Sequence, residues 1–227
     1  MTWQGILGGF LAAALAVFLL WRFRKSEIAR QAAPMAFFGR ALEVVENAEL
    51  TGTGGAGLPR LSGRYKSHAI QIHPVTDTLA IRKIPALWLL VTVQSPLPVT
   101  AKFDMMMRPA GPTTFSNFDL LPHTIKPAPD FPAEAVIRSD DPAAALPCHV
   151  VAPHLDLFDN RRAKELLIAP QGLRIVWLLA EADRARYGVF RQAEFGDVVL
   201  DAALLTDLLD RLIALRQSIL DWHAETT

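Results

Sequence analysis

The longest uninterrupted hydrophobic stretch of the chain lies at its start. Residues 3–21 contain no charged side chain, and Gln4 is the only strongly polar residue among them. A run of this length and composition predicts one membrane-spanning helix. We therefore assign residues 1–21 to a transmembrane anchor. Because Arg22, Arg24 and Lys25 follow the run and no Lys or Arg precedes it, we expect an uncleaved anchor. The same asymmetry predicts a bacterial inner-membrane protein with its N-terminus outside and its domain in the cytoplasm.

Small residues recur every fourth position along this predicted span. They form two neighbouring rows, namely Gly5, Gly9 and Ala13, and Gly8, Ala12 and Ala16. Such rows allow a second membrane helix to approach closely, although glycine and alanine are also common in spans that pack on nothing. Trp3 and Trp21 would lie about 27 Å apart along a helix, one at each membrane interface. The expected partners are therefore the lipid bilayer and other membrane protein subunits.

The pattern after the span predicts a juxtamembrane helix over residues 22–50, with a kink at Pro34. Its basic start either rests on anionic headgroups or only sets the topology. Residues 51–60 are rich in glycine, but they lack the preceding strand and the Gly-Lys-Ser/Thr ending of a phosphate-binding loop. We therefore interpret them as a flexible linker and as the boundary of a domain that covers residues 61–227.

From residue 61 onward, the hydrophobic period changes from that of a helix to that of a strand. The pattern predicts strands at 64–73, 79–81, 88–93, 99–107 and 136–138, a helix at 161–168, a helix or strand at 173–180, a hairpin at 187–192 and 194–199, and a long helix at 202–222 capped by Asp201. Prolines crowd residues 108–153, which we expect to form loops. The predicted fold class is α+β: an N-terminal transmembrane helix, then a mainly antiparallel sheet with a C-terminal packing helix.

Few residues in the chain suggest chemistry. Cys148, His149, His154 and Asp156 lie within nine positions and could ligate zinc or form a nucleophile–base pair, but their spacing matches no usual zinc pattern. Methionines 105–107 could suggest a soft-metal site, but successive strand residues point to opposite faces and cannot converge on one ion. No hydrolase, metalloprotease or dinucleotide-binding motif occurs. We predict no enzyme activity, no cofactor and no metal.

The charge balance argues against one class of partner. The chain carries 23 Lys and Arg residues and 23 Asp and Glu residues, so it has no net positive charge to attract nucleic acid. Its composition, 51% hydrophobic and 20% charged, is typical of a globular domain with an additional apolar helix. The chain therefore has enough apolar residues for a folded core, and we expect no nucleic-acid partner.

Three short motifs carry a resemblance to known families. They are Gly63-Arg64-Tyr65, the segment VIRSDDP at 136–142, and RRAKELLIAP at 161–170. Together they resemble uncharacterised bacterial membrane-anchored families of the domain-of-unknown-function 3137 kind. This chain departs from that pattern in a Pro-rich insertion after the Ser-Asp-Asp turn and in having one span instead of two. The resemblance implies an α+β domain held at a membrane, and it implies no activity.

Two functions remain open. The first is a non-enzymatic accessory subunit, or an assembly or interaction factor, of a membrane protein complex. The second is a membrane-tethered module that binds a lipid or another apolar ligand under the Pro-rich loops, in a groove lined by Trp88, Phe115 and Phe118. The phenylalanines of these loops, which include Phe131, either cover such a groove or fasten the loops to the domain.

Overall fold

The computed structural model describes residues 35–52, 58–79, 84–190, 193 and 195–226. Within that part of the chain, no helix combines the length and the apolar character needed to cross a membrane. The classification of the chain as a single-pass transmembrane protein is corrected accordingly, since no described helix supports it. The segment on which it rested lies outside the described residues, with its small-residue rows and its interface residues: Gly5, Gly8, Gly9, Ala12, Ala13, Ala16, Trp3, Trp21, Arg22, Arg24 and Lys25.

The described strands form a single sheet of nine strands, and every neighbouring pair is antiparallel. The strands are β1 (Glu46–Thr51), β2 (Arg60–Tyr65), β3 (His68–Asp77), β4 (Ala86–Gln94), β5 (Phe103–Met107), β6 (His123–Ile125), β7 (Ala135–Ser139), β8 (Ala163–Ala169) and β9 (Gly172–Glu181). Their order across the sheet is β1-β2-β3-β4-β9-β8-β5-β7-β6. The predicted α+β class with a mainly antiparallel sheet and a C-terminal helix is confirmed.

Residues 35–38 are helical, and three further α-helices lie after β7 in the described part of the chain. They are α1 (Cys148–Val151), α2 (Arg184–Phe190) and α3 (Ala202–Thr226), and short 3-10 turns lie at Gly39–Val44, Phe118–Leu120, Ala152–His154 and Asp156–Asp159. Helix α3 begins directly after Asp201, whose carboxylate accepts a hydrogen bond from the Ala203 N–H at 2.9 Å. The predicted N-cap is therefore confirmed, and it satisfies one of the free N–H groups of the first turn.

The alternation after residue 61, from which we predicted a strand at 64–73, belongs to a hairpin of two strands. Strands β2 and β3 are joined by Lys66 and Ser67, whose φ angles are 45° and 69°. Two successive residues in the left-handed region make the tight turn whose twist matches that of the flanking strands. The strand predicted at 88–93 is likewise confirmed as part of β4.

The predicted helix and linker near the start of the domain are wrong in part. Residues 46–50 do not end a helix but belong to β1, in which Leu50 pairs with Leu61 and Thr51 with Arg60. The sheet therefore includes residues on both sides of the glycine-rich stretch, whose residues 53–57 lie outside the described part of the chain. Pairing with β2 overrides the helix propensity of this segment, which contains two glutamates. Val45 lies so close to Gly63 of β2 that a side chain at position 63 would clash with it.

Two predictions in the second half of the chain are wrong as well. The helix expected at 161–168 is instead β8, which forms a hairpin with β9 and lies between β9 and β5. Residues 187–190 of the strand expected at 187–192 belong to α2, and residues 195–199 do not form a strand; residues 191, 192 and 194 lie outside the described part of the chain. Ala, Lys, Glu and Leu favour helices in isolation, but β8 is paired on both sides, so tertiary pairing determines its structure.

Helix α3 covers one face of the sheet, here called the helix-covered face. The buried side chains of this helix, at helical spacing, are Leu205, Leu208, Leu209, Leu212, Leu215 and Ile219. They pack with inward-facing residues of β4 and β9, such as Leu89, Val91 and Ile175, in the main hydrophobic core. Asp210 fixes the helix to the β2–β3 turn, since it accepts hydrogen bonds from Tyr65 at 2.9 Å and Lys66 at 2.7 Å.

The three consecutive methionines of β5 are all buried, but they are divided between the two faces. Met105 and Met107 belong to the core under α3, whereas Met106 belongs to a smaller cluster on the other side of the sheet, here called the opposite face. The strand alternation predicted for residues 105–107 is therefore confirmed. Each methionine packs in a core, and they do not converge on one point.

Candidate functional site

The opposite face is covered by part of the Pro-rich region. Residues 108–122, here called the cover segment, place Phe115 and Phe118 in the smaller hydrophobic cluster. The ring centroids of Phe115 and Trp88 are 4.9 Å apart. Phe131 does not join them, because it packs in the main core, 6.5 Å from Phe103 between ring centroids. Two of the three phenylalanines thus fasten the cover segment to the sheet.

A cleft of about 640 Å³ lies between the cover segment and the sheet. Trp88 and Phe115 provide its aromatic surface, while Lys164 and Arg184 supply positive charge. Its full lining is Asp77, Ile84, Ala86, Trp88, Ala110, Gly111, Pro112, Thr113, Phe115, Lys164, Glu181 and Arg184. A cleft therefore lies beside Trp88 and Phe115, but it differs from the apolar groove expected from the sequence. Its lining mixes charged and apolar side chains, and Phe118 is not part of it.

Two buried carboxyl groups lie next to this cleft. Asp104 on β5 and Glu165 on β8 are 2% and 0% exposed, and both side chains belong to the opposite face. They lie close together because Met106 is paired with Glu165, and Asp104 stands two residues before Met106 on β5. The Ser116 hydroxyl of the cover segment donates a hydrogen bond to Glu165 Oε1 at 2.5 Å. Asp104 Oδ1 and Glu165 Oε2 are buried and receive no hydrogen bond from another described residue, while the two carboxyl groups are hydrogen-bonded to each other.

Burial changes the acidity of both groups. Burial, the charge of Glu165 and a hydrogen bond to it raise the pKa of Asp104 to about 9. Burial also raises the pKa of Glu165 to about 6, although the hydrogen bond from Ser116 and the charge of Arg174 act in the other direction. Protonated Asp104 can then donate to the Glu165 carboxylate, and at neutral pH the two carboxyls hold one proton between them.

Arg174 on β9 provides the central positive charge of the opposite face. Its Nε lies 3.4 Å from Thr92 Oγ1 on β4, and its charge favours ionisation of both Asp104 and Glu165. On β3, His73 has a pKa that is lowered by burial and then by the charges of Arg60 and Arg174. Polar and charged side chains therefore lie on several strands of this face, beside its apolar cluster.

A second cavity, of about 250 Å³, lies against the carboxyl pair. It adjoins the cleft at Phe115, which lines both spaces. The residues around it are Lys102, Asp104, Thr114, Phe115, Ser116, Asn117, Leu121, Glu165, Leu167 and Arg174. Hydroxyl, amide and carboxyl groups thus surround a space that is large enough for a small polar group.

A third depression lies on another part of the molecule. Its volume is about 380 Å³, and Phe37, Leu58, Leu87 and residues 195–199 contribute to its lining. It is more apolar than the other two, and no unpartnered buried carboxyl borders it. It is the competing location for an apolar ligand.

The Cys-His-Asp cluster of the sequence has other contacts in the structure. His154 Nε2 lies 2.9 Å from Ser218 Oγ on α3, and Asp156 forms an ion pair with Arg211 of α3 at 2.7 Å. Cys148 is half-buried at the start of α1. Among the residues that the structure describes, no group of three or more His, Cys, Asp and Glu side chains is arranged to hold a metal ion.

Sequence reasoning missed the carboxyl pair for an identifiable reason. Glu165 fell in a segment that was predicted to be helical, where an acidic residue is expected on the solvent side. Asp104 stands alone in FDMMM, and a lone charged residue in an apolar strand was the one available signal. Only the pairing of β5 with β8 brings the two residues together.

The comparisons with known proteins give little guidance. No protein-family model matches the sequence, and no curated protein is similar to it. Among solved structures, the chain has a distant similarity to the mycobacterial trehalose monomycolate transport factor A, TtfA. The identity is 8%, the match covers 70% of each chain, and the TM-score is 0.38. At this TM-score the similarity establishes neither a shared fold nor a shared function.

Proposed function

We propose that this chain is a ligand-binding module that holds an amphiphilic molecule in the cleft between the cover segment and the opposite face. The observation that supports it is the composition of the cleft, in which the rings of Trp88 and Phe115 lie beside charged side chains such as Lys164 and Arg184. Its volume is in the range of about 300–1,000 Å³ that is usual for small-molecule pockets. An apolar chain would contact the rings, and a polar group would lie toward the charges.

The cover segment is held in place before any ligand binds. Lys164 Nζ donates hydrogen bonds to the backbone carbonyls of Met107 at 2.5 Å and Arg108 at 2.8 Å. Farther along, Thr114 Oγ1 donates to the Thr76 carbonyl at 3.1 Å, and Ser116 is bonded to Glu165. A cleft with a fixed cover loses less conformational entropy on binding, which favours affinity.

The indole N–H of Trp88 supports the same location. Trp88 Nε1 is buried and has no hydrogen-bond partner within the described residues. A buried tryptophan N–H usually has an acceptor, and a lone donor costs about 1–3 kcal/mol. A ligand oxygen in the cleft would supply this acceptor.

A second function, that of a non-enzymatic interaction factor, is favoured by a different observation. Strand β1 is an edge of the sheet, and all six of its residues are exposed. Exposed edges can pair with a strand of another protein. However, β1 carries Glu46 and Glu49 with an irregular register between them, and charges and bulges are the features that protect edges from pairing. We therefore rank this function second.

The test fills the cleft with a bulky side chain. In the full chain, Ala86→Trp places an indole in the cleft lining, and Ala69→Trp puts the same side chain on an exposed position of β3. Calorimetric titration with 1-monododecanoylglycerol should show binding to the parent chain, about tenfold weaker binding to Ala86→Trp, and unchanged binding to Ala69→Trp. Equal affinity of all three proteins would place the ligand elsewhere and contradict the proposal.

A further inference from the structure

We propose that the 250 Å³ cavity is the subsite for the head group of the ligand, and that it takes a neutral group with hydroxyl donors that bind Asp104 and Glu165. This inference rests on the proposed function, because the apolar chain attached to the head group would lie in the cleft. It adds a chemical class of ligand, namely an amphiphile with an uncharged, hydroxylated head. It also assigns two side chains as the acceptors.

The two carboxyl groups line the cavity and have acceptor capacity to spare. Asp104 and Glu165 share one proton between them, and no other described residue donates to Asp104 Oδ1 or Glu165 Oε2. Ser116 donates only to the other oxygen of Glu165. A carboxyl oxygen has two lone pairs, and buried polar atoms usually have their hydrogen bonds satisfied. Donors on a ligand in the cavity would therefore find acceptor positions that the pair itself leaves open.

The size of the cavity suits a small polar head group. A water molecule occupies about 30 Å³ in the liquid, so a cavity of 250 Å³ has room for a group of several non-hydrogen atoms. A three-carbon polyol is of this size. Thr114 and Asn117 add further hydroxyl and amide groups to the lining, which suits a group with more than one hydroxyl.

The charged side chains around the cavity disfavour an ionic head group of either sign. An anion would be placed beside two buried carboxyls. A cation would meet positive charges that already act on the pair, namely Lys102 on Asp104, Lys164 on Glu165, and Arg174 on both. Because the carboxyls hold one proton between them at neutral pH, one negative charge remains, and Arg174 in the cavity lining balances it. Lys102 is exposed to solvent, where its charge is screened, and Lys164 Nζ is bonded to the backbone carbonyls of Met107 and Arg108. A neutral donor gains the hydrogen bonds without adding an unbalanced charge.

Phe115 lies between the cleft and the cavity. Its ring lines both the cleft and the cavity, and it lies 4.9 Å from Trp88 between centroids. A ligand whose apolar chain lies against Trp88 can therefore extend past the Phe115 ring and place its head group at the carboxyl pair. Chain and head would then occupy two adjoining spaces of different polarity.

The test compares compounds that share one twelve-carbon chain. They are 1-monododecanoylglycerol, methyl dodecanoate, dodecanoic acid and dodecylamine, each titrated into the full chain by calorimetry. Two hydrogen bonds to buried acceptors predict that the glycerol ester binds about tenfold more tightly than the methyl ester. Tighter binding of the acid or the amine would overturn the neutral assignment. Equal binding of all four would overturn the subsite but not the cleft, and no binding by any of them would overturn the proposed function as well.

A pair of variants locates the effect. Glu165→Met keeps the volume of the buried side chain but removes the acceptor, and Glu181→Met removes a carboxylate of the cleft lining outside the cavity. In Glu165→Met the affinity ratio between the glycerol ester and methyl dodecanoate should fall toward one, and this ratio is the readout because both esters meet the same cover segment after the Ser116–Glu165 bond is lost. Glu181→Met should retain the advantage. Loss of the advantage in Glu181→Met alone would place the head group at the cleft rim and contradict the proposal.

Discussion

The two faces of the sheet are built from the same strands but differ in what they bury. On β5, Phe103, Met105 and Met107 enter the core under α3, whereas Asp104 and Met106 belong to the opposite face. The helix-covered face is mainly apolar and is covered by one long helix. The opposite face combines a small apolar cluster with buried carboxyls, Arg174 and two open spaces. The first face stabilises the fold, while the second keeps polar atoms at a cost in stability, as binding sites commonly do.

The largest expected effect is loss of packing on the helix-covered face. Leu212 of α3 is fully buried in the main core, and Leu212→Ala should lower the free energy of unfolding by about 2–5 kcal/mol. The half-buried Leu204 on the same helix is the control, and Leu204→Ala should cost less than half as much. Urea unfolding measures both. Equal losses at the two positions would show that the core does not extend along α3 as described.

On the opposite face, we expect a substitution at Asp104 to raise the free energy of unfolding. Because folding raises the pKa of Asp104 from 3.8 to about 9, the folded state binds more protons than the unfolded state over that range. Stability should therefore be greatest below about pH 4 with respect to this group, and it should fall as the pH rises toward 9. The raised pKa of Glu165 acts in the same direction over a narrower window, up to about 6.

Asp104→Asn imitates the protonated carboxyl and should remove most of this dependence. At pH 8 we expect the variant to be more stable than the parent chain by about 1–3 kcal/mol, with a smaller gain at pH 5. Urea unfolding at the two pH values measures the difference. A variant that is less stable than the parent at pH 8 would contradict the description of a shared proton.

The smallest effect should come from an exposed ion pair at the edge of α3. Asp156 pairs with Arg211 at 2.7 Å, and its side chain is 64% exposed. The hydrogen bond from Arg211 lowers the pKa of Asp156, so this contribution is present above its unfolded pKa and is lost as the pH falls through the folded value. Asp156→Asn should cost about 0.2–1 kcal/mol at pH 7 and less in high salt. A cost above that of Leu212→Ala would contradict the description of α3 as held mainly by its buried apolar side chains.

The elements that the sequence predicted correctly are those whose own pattern determines their structure. Strand β4 contains a nearly continuous apolar run, and α3 has a cap and an apolar stripe at helical spacing. Strand β8 consists mostly of good helix formers, so its structure depends on pairing with β5 and β9, which no local pattern reveals. The same pairing creates the site. Asp104 and Glu165 are far apart in the chain, and only the register of β5 and β8 makes them neighbours.

The most direct test of the central claim is hydrogen exchange of the full chain with and without saturating 1-monododecanoylglycerol. With the ligand bound, we expect slower exchange in peptides that cover residues 84–92 and 108–118, the floor and the cover of the cleft. Peptides from α3 and from residues 195–199 should exchange as before. Protection at 195–199, with residues 108–118 unchanged, would place the ligand in the apolar depression beside Phe37 and would contradict the assignment of the opposite face as the binding face.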